Sequence, residues 1–255
     1  MTRGKFEVID THTHLDFKNF NKDRDEVIRR ALDAGVTTII NSGIDFKTNR
    51  KTLELAKKYE FIRPTLGLNP NGLGETTDAE VEDTLEQIRA HAREIVGVGE
   101  AGLDYYRCAD ERGRGRQREV FGKVVSLAEE LDLPQVIHAR IAEDEAFDMV
   151  KDLKKVVFHC YSGTVGTMRE ALDRGFYISL ATVVCNSAQH QVLARQVPLD
   201  RLLIETDSPF LSPRRGRNEP AYVLDALHLI ARIKGIPPED VAEATTANAR
   251  KIFNL

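Results

Sequence analysis

An eightfold rhythm limits what this chain can fold into. Short β-branched runs at Glu7–Ile9, Thr37–Ile40, Ile62–Leu66, Ile95–Val98, Gln135–Ile137, Lys155–Phe158, Phe176–Leu180 and Arg201–Ile204 alternate with charged amphipathic stretches. Helical periodicity marks those stretches at Arg24–Ala34, Thr48–Tyr59, Ala79–Ala92, Gln117–Leu131, Glu143–Lys151, Val165–Arg174, Gln189–Gln196 and Tyr222–Ile233, with a last one at Pro237–Thr246. Runs apolar on both faces, separated by helices, build βαβ units around a parallel sheet that is buried on both sides. Eight such units in 255 residues match a closed (β/α)8 TIM barrel, which takes about 250 residues, better than an open doubly wound sheet. No Pro-, Ser- or Gly-rich linker and no shift in composition divides the chain. Residues 1–255 are therefore expected to form one α/β domain.

In a parallel barrel the loops that follow the strands converge, and chemistry collects at the strand C-termini. The first run leads into Asp10-Thr-His12-Thr-His14, the fourth into Glu100, the fifth into His138, the sixth into His159 and the eighth into Glu205-Thr-Asp207. Four of the seven histidines fall at these positions. His12 and His14 stand two apart on a strand, which puts both rings on one side, where they can share a cation. One such pair, or one His closing a buried strand, is as readily a hydrogen-bonded rim residue. Five strands delivering imidazoles and carboxylates to one rim form a metal-binding pattern, suited to borderline divalent cations such as Zn²⁺ or Mn²⁺.

Other signals lead elsewhere. Gly97-x-Gly99-x-x-Gly102 has the spacing of a dinucleotide fingerprint, but Leu103-Asp104-Tyr105-Tyr106 follows where a helix should open. The chain has no P-loop and no Gly-x-Ser-x-Gly elbow. His91, His190 and His228 sit within amphipathic stretches, where surface or hydrogen-bonded packing is expected. Cys108, Cys160 and Cys185, odd in number and far apart, argue for a reducing compartment, so a cytoplasmic location is expected. Residues 1–6 lead into no leader-like apolar stretch, and no run is long enough for a membrane span. The net charge of −4, from 36 Lys and Arg against 40 Asp and Glu, excludes a general nucleic-acid coat protein but not a local phosphate site.

The motifs resemble those of the TatD family of metal-dependent hydrolases, among the amidohydrolase-like barrels. They are Ile9-Asp-Thr-His-Thr-His-Leu15, Gly99-Glu-Ala-Gly-Leu-Asp-Tyr-Tyr106, Pro134-Gln-Val-Ile-His138, Phe158-His-Cys-Tyr-Ser-Gly163, Leu203-Ile-Glu-Thr-Asp-Ser-Pro209 and Arg217-Asn-Glu-Pro220, with the closing Ala247-Asn-Ala-Arg-Lys-Ile-Phe253. The resemblance runs through nearly the whole chain, in order. It implies a TIM barrel holding two adjacent divalent metal ions, Mg²⁺, Mn²⁺, Zn²⁺ or similar. His12, His14 and Asp207 would hold one, His138 and His159 the other, and Glu100 would bridge them. Glu100 and Asp207 become the catalytic carboxylates, with Asp207 the general base. Glu205, two residues before Asp207, either orients a ligand histidine or is a buried structural carboxylate. Two departures stand out. Gly67-Leu-Asn69-Pro-Asn71 replaces the Gly-x-His-Pro-His that the family often carries, and Ile141 stands where an Asp is frequent.

The resemblance implies phosphodiester hydrolysis at the ends of DNA or RNA, with single strands or ends the expected substrate; no obligate protein partner is inferred. Arg107 to Arg118 holds five arginines against Asp110 and Glu111, and Arg214, Arg215 and Arg217 form a second basic cluster. Both are expected in rim loops, where Arg107 and Arg217 would meet phosphates. Tyr105, Tyr106 and Tyr161 could stack bases, and the Ser162 segment could present backbone N–H groups to a phosphate. Two alternatives are a hydrolase of another ester or amide, such as D-aminoacyl-tRNA, and a non-catalytic barrel that keeps its ligands for structure.

Overall fold

The computed structural model describes residues 7–255; the leader-free reading of residues 1–6 lies outside them. Eight strands, β1 (Val8–Thr13), β2 (Val36–Ser42), β3 (Ile62–Leu66), β4 (Gly97–Asp104), β5 (Gln135–Arg140), β6 (Val156–Phe158), β7 (Tyr177–Ala181) and β8 (Leu202–Glu205), pair in parallel in sequence order. The helices are α1 (Arg24–Ala34), α2 (Phe46–Lys58), α3 (Asp78–Ala90), α4 (Glu111–Glu130), α5 (Glu143–Val150), α6 (Val165–Asp173), α7 (Ala188–Gln196), α8 (Val223–Lys234) and α9 (Pro238–Phe253). Each expected strand and helix is present, and no helix among the described residues is long and apolar enough to cross a membrane.

Closure between β1 and β8 is the seam that makes the sheet a barrel. A parallel bridge joins Thr13 to Ser208, the Asp207 N–H donates to the His12 carbonyl at 2.9 Å, and the His14 N–H donates to the Ser208 carbonyl at 2.8 Å. Fully buried Asp10 accepts from the Thr206 N–H at 2.9 Å and the Thr206 hydroxyl at 2.6 Å, across the same seam. Burial pushes its carboxyl up to about 8.

The barrel interior has an apolar floor. Ile9, Ile40, Val136, Val157, Tyr177 and Leu203 meet Ala249, Ile252 and Phe253 of α9, which plugs the N-terminal mouth. Side chains on a strand return to the same face every second residue. Two residues above that floor, β2, β5, β7 and β8 therefore present Ser42, His138, Ser179 and Glu205 inward, and the residue past β6 is His159. The change from an apolar to a polar layer within one pleat places the chemistry at the C-terminal mouth.

The sequence-based boundaries change most at three places. β4 runs on to Asp104, so Glu100 lies inside the strand, within a register shift between Val98 and Ala101. A side chain at Gly99 or Gly102 would run into the Val136 or His138 carbonyl of β5, and both glycines hold positive φ, 140° and 153°. The fingerprint-like glycine spacing is thus a close approach of two strands. α4 starts six residues early, where the Asp110 side chain accepts from the Gly113 N–H. α9 continues to Phe253, because its last turn is the plug.

Candidate metal centre

The Glu100 carboxylate sits at the middle of the mouth, with a side chain only 4 % exposed, and each of its oxygens meets a pair of imidazoles. Oε2 lies 3.2 Å from His12 Nε2 and 3.3 Å from His14 Nε2. Oε1 lies 2.8 Å from His138 Nδ1 and 3.3 Å from His159 Nε2. Within each pair the two ring nitrogens stand 3.3 Å apart. Asp207 Oδ1 joins the first pair, 3.5 Å from His14 Nε2 and 4.0 Å from His12 Nε2.

The outward nitrogen of every ring is already engaged. His12 Nδ1 meets the Ser42 hydroxyl at 3.2 Å, and His14 Nδ1 meets the Ser42 carbonyl at 2.8 Å. His138 Nε2 meets Asp104 Oδ2 at 3.1 Å, and His159 Nδ1 meets Glu205 Oε1 at 3.2 Å. A carbonyl or carboxylate on one ring nitrogen fixes the N–H there and leaves the lone pair on the other, which is how proteins orient histidines to bind metal. Glu205 is itself held in place, accepting from the Cys160 N–H at 2.8 Å and from Ser179 Oγ at 2.5 Å.

This donor set fits divalent cations. Two nitrogens ligating one tetrahedral ion at about 2.0–2.1 Å stand about 3.3 Å apart, the spacing found here. Without a proton or cation between them, lone pairs at that distance repel. His12, His14 and Glu100 form one group able to hold an ion, and Glu100, His138 and His159 form another.

Charge is held in the cluster by mutual contact. Burial alone would raise the Glu100 carboxyl, but the imidazoles around it hold it well below its ordinary value. Burial likewise opposes charge on His14, yet the Asp207 and Glu100 carboxylates push it up to about 10. His159 is also driven well above 6.5, against burial, by Glu100 and Glu205, whereas burial and neighbouring His159 hold His12 down. Asp207 stays below its ordinary value despite burial, through His14 first and then His159 and His12. Cations entering the cluster would replace protons it already binds.

The expected ligands His12, His14, Glu100, His138, His159 and Asp207 are thus brought together, with Glu205 behind His159. The substrate contacts fare differently. Tyr161 is 1 % exposed and donates its hydroxyl to the Thr164 carbonyl at 2.8 Å, so its ring belongs to the core and has no face for a base. Arg217 forks onto Asp23 at 2.7 and 2.9 Å and covers the Phe20 ring, so its donors are spent pinning the loop after β8. The arginines at 112 to 118 are on α4 and not on a rim loop. Arg116 pairs with Asp78 and Glu119, Arg118 with Glu111, and Arg114 lies over Tyr105. Tyr105, Ser162 and Ile141 line a cavity of about 620 Å³ together with Glu143, Asp144 and Glu145. These acids make it unsuited to phosphate, and the Ser162 hydroxyl is engaged with the Cys160 carbonyl and His190. Arg107 and Arg140 carry no ion pair among the described residues; Arg140 lies 3.9 Å above the exposed Tyr106 ring.

Three supporting residues escaped the sequence reading. Asp104 stands four residues past Glu100, a same-face spacing visible only once β4 is known to continue. Ser42 closes β2 with no motif to mark it. Asn69 donates to Glu100 Oε1 at 2.5 Å and accepts the Asn71 N–H at 2.8 Å, so the departure from the family's imidazole still contacts the central carboxylate.

A parallel (β/α)8 barrel with a carboxylate between two imidazole pairs at its mouth defines the class of metal-dependent hydrolases. Within that class, the chain belongs to the TatD family: the family described as "TatD related DNase" matches residues 9–254. An uncharacterized metal-dependent hydrolase of Methanocaldococcus jannaschii is 42 % identical over 246 residues, 96 % of each chain. The 3'-5' ssDNA/RNA exonuclease TatD of Erwinia tasmaniensis is 32 % identical, over 97 % of this chain and 100 % of its own. The crystal structure of YJJV, a TatD homolog from Escherichia coli K12, superposes with a TM-score of 0.89 at 26 % identity, covering 97 % of this chain and 98 % of the other.

Proposed function

We propose that this chain is a two-metal phosphodiesterase that removes nucleotides from the ends of DNA or RNA. The observation that carries the reading is the Glu100 carboxylate, which offers one oxygen to each imidazole pair while every outward ring nitrogen is held. His12, His14 and Asp207 would hold one cation, His138 and His159 the second, with Glu100 between them. Bound divalent cations would supply Lewis-acid polarisation of the phosphodiester and a water acidified from a pKa of ~15.7 towards neutrality. The protein's own part is acid–base work and charge. Asp207 is kept anionic by the imidazoles, and its side chain is 14 % exposed where that of Glu100 is 4 %. It is the carboxylate open to an incoming water and accepts that water's proton as the phosphorus is attacked. Arg140, two residues past His138 and without an ion pair among the described residues, suits bidentate contact with a substrate phosphate. Relatives named as exonuclease and deoxyribonuclease support this choice of substrate. The three cysteines are free thiols, in keeping with a reducing, cytoplasmic setting.

The test is a panel of end-labelled single-stranded DNA and RNA, with D-aminoacyl-tRNA and a simple amide, under Mg²⁺, Mn²⁺, Zn²⁺ or Co²⁺. Stepwise shortening of the oligonucleotides, abolished by chelation and by Glu100→Ala, is expected. Hydrolysis of the ester or amide with intact oligonucleotides under every cation overturns the nuclease reading.

A further inference from the structure

Beside the centre stands an aromatic edge that hydrolysis itself does not use. Phe17 stacks on the ligand His14, with ring centroids 4.7 Å apart and planes 17° from parallel. Phe210 meets both rings edge-on, 6.4 Å from His14 and 6.1 Å from Phe17, and is 49 % exposed. The backbone that presents this exposed ring is held by hydrogen bonds on both sides. Its N–H donates to the Asp207 carbonyl at 3.0 Å, its own carbonyl accepts from Asn218 Nδ2 at 2.6 Å, and Thr182 Oγ1 donates to the Leu211 carbonyl at 2.9 Å. Asn218 is fully buried and also holds the Thr206 carbonyl at 2.8 Å. The segment that delivers Asp207 and the loop that presents Phe210 are therefore one hydrogen-bonded unit. Arg215, exposed and without an ion pair among the described residues, follows on the same loop.

We infer that Phe210 is the stacking platform for a nucleobase of the polynucleotide, holding one of the two nucleotides that flank the bond to be cut. The inference rests on the nuclease reading and adds the feature that selects the strand. A free base offers a π-face to an aromatic ring whatever its identity, so the contact tolerates any sequence. A base inside a duplex has both faces covered by its neighbours, so a platform this close to the His14–Asp207 side selects single strands and frayed ends. Phe17, pressed on His14, backs the ring and is not itself the platform.

Enzyme and substrate can be varied together. Phe210→Ala is expected to lower kcat/KM on a fully based single strand by about 5- to 150-fold, the range for losing one base–aromatic stack. Most of that loss should vanish when the flanking nucleotide is abasic, and Phe210→Trp should restore it. The chain contains no tryptophan, so Phe210→Trp also carries a lone indole. Its fluorescence should be quenched on mixing with the based strand, before any cleavage, and far less with the abasic one. Equal loss on based and abasic strands at both flanking positions, with no differential quenching, overturns the inference while ordinary cleavage leaves the nuclease reading standing. Differential quenching without cleavage under any cation has the opposite meaning: Phe210 stacks bases, and the hydrolytic reading fails.

Discussion

Glu100 faces opposed demands at a single residue. A carboxylate this deeply buried would ordinarily take up a proton, yet a bridging role needs both oxygens anionic. Imidazoles on both oxygens and the Asn69 amide on Oε1 meet that need. The rings depend in turn on their outward partners, and two of those partners are carboxylates. Glu205→Gln and Asp104→Asn keep shape but remove the negative charge facing His159 Nδ1 or His138 Nε2 and leave one acceptor oxygen where two are in use. Each should weaken cation affinity by roughly 10- to 100-fold, with activity recovering as cation concentration is raised, and a cation titration of the wild type and both variants reads this directly. Unchanged affinity in Glu205→Gln would mean that the charge of Glu205 is not needed to orient His159, which already stacks on His12 at 3.9 Å.

At the scale of elements, the first turns of α4 change where the substrate's phosphates are sought. Four of the five arginines between 107 and 118 ride on this helix, and Arg116 and Arg118 are spent on carboxylates. Arg140, at the end of β5 beside His138, has no such partner among the described residues. Arg140→Gln should therefore flatten the salt dependence of single-strand binding by about 0.7 in the log–log slope, one phosphate contact. Arg116→Gln should leave that slope as it is. The reverse result, measured by anisotropy at several salt concentrations, would return the substrate path to α4. The alternation of β-branched runs and amphipathic stretches made the eight strands legible, because period and length are local properties. The imidazoles and carboxylates that cluster at the mouth were legible too, as residues closing those runs. The supporting groups were not: Ser42 and Asp104 act through which pleat they occupy, and for Asp104 that depended on two glycines letting β4 continue past β5's carbonyls, while Asn69 acts from the loop after β3. Nor could the free and the spent arginines be told apart, since Asp23, which holds Arg217, is nearly two hundred residues away in the chain.

Over the whole molecule, the barrel is sealed at one mouth by an apolar plug and held at the other by charge. The plug, Ile252 and Phe253 on the interior floor, owes nothing to pH or metal. The open end does, so the protein's stability should depend on both together. In the cation-free chain, His14 holds its proton up to about pH 10, against 6.5 when unfolded. The stabilisation from that proton is complete below pH 6.5 and fades as the pH rises towards 10. A cation has to displace it, so affinity should climb by up to tenfold per pH unit for each proton released. Binding at a hundred times the dissociation constant adds about 2.7 kcal/mol, which for a chain of this size raises the melting temperature by roughly 5–10 °C. Calorimetry with and without chelator, at one fixed cation concentration and at pH 6.5, 7.5 and 8.5, should therefore show a thermal shift that widens with pH as the cation-free chain loses stability. A shift that stays constant would mean that His14 is already neutral before the cation arrives. The Asp207 and Glu100 carboxylates would then face an uncharged ring, and the 3.3 Å approach of His12 to His14 would need some support other than a shared proton.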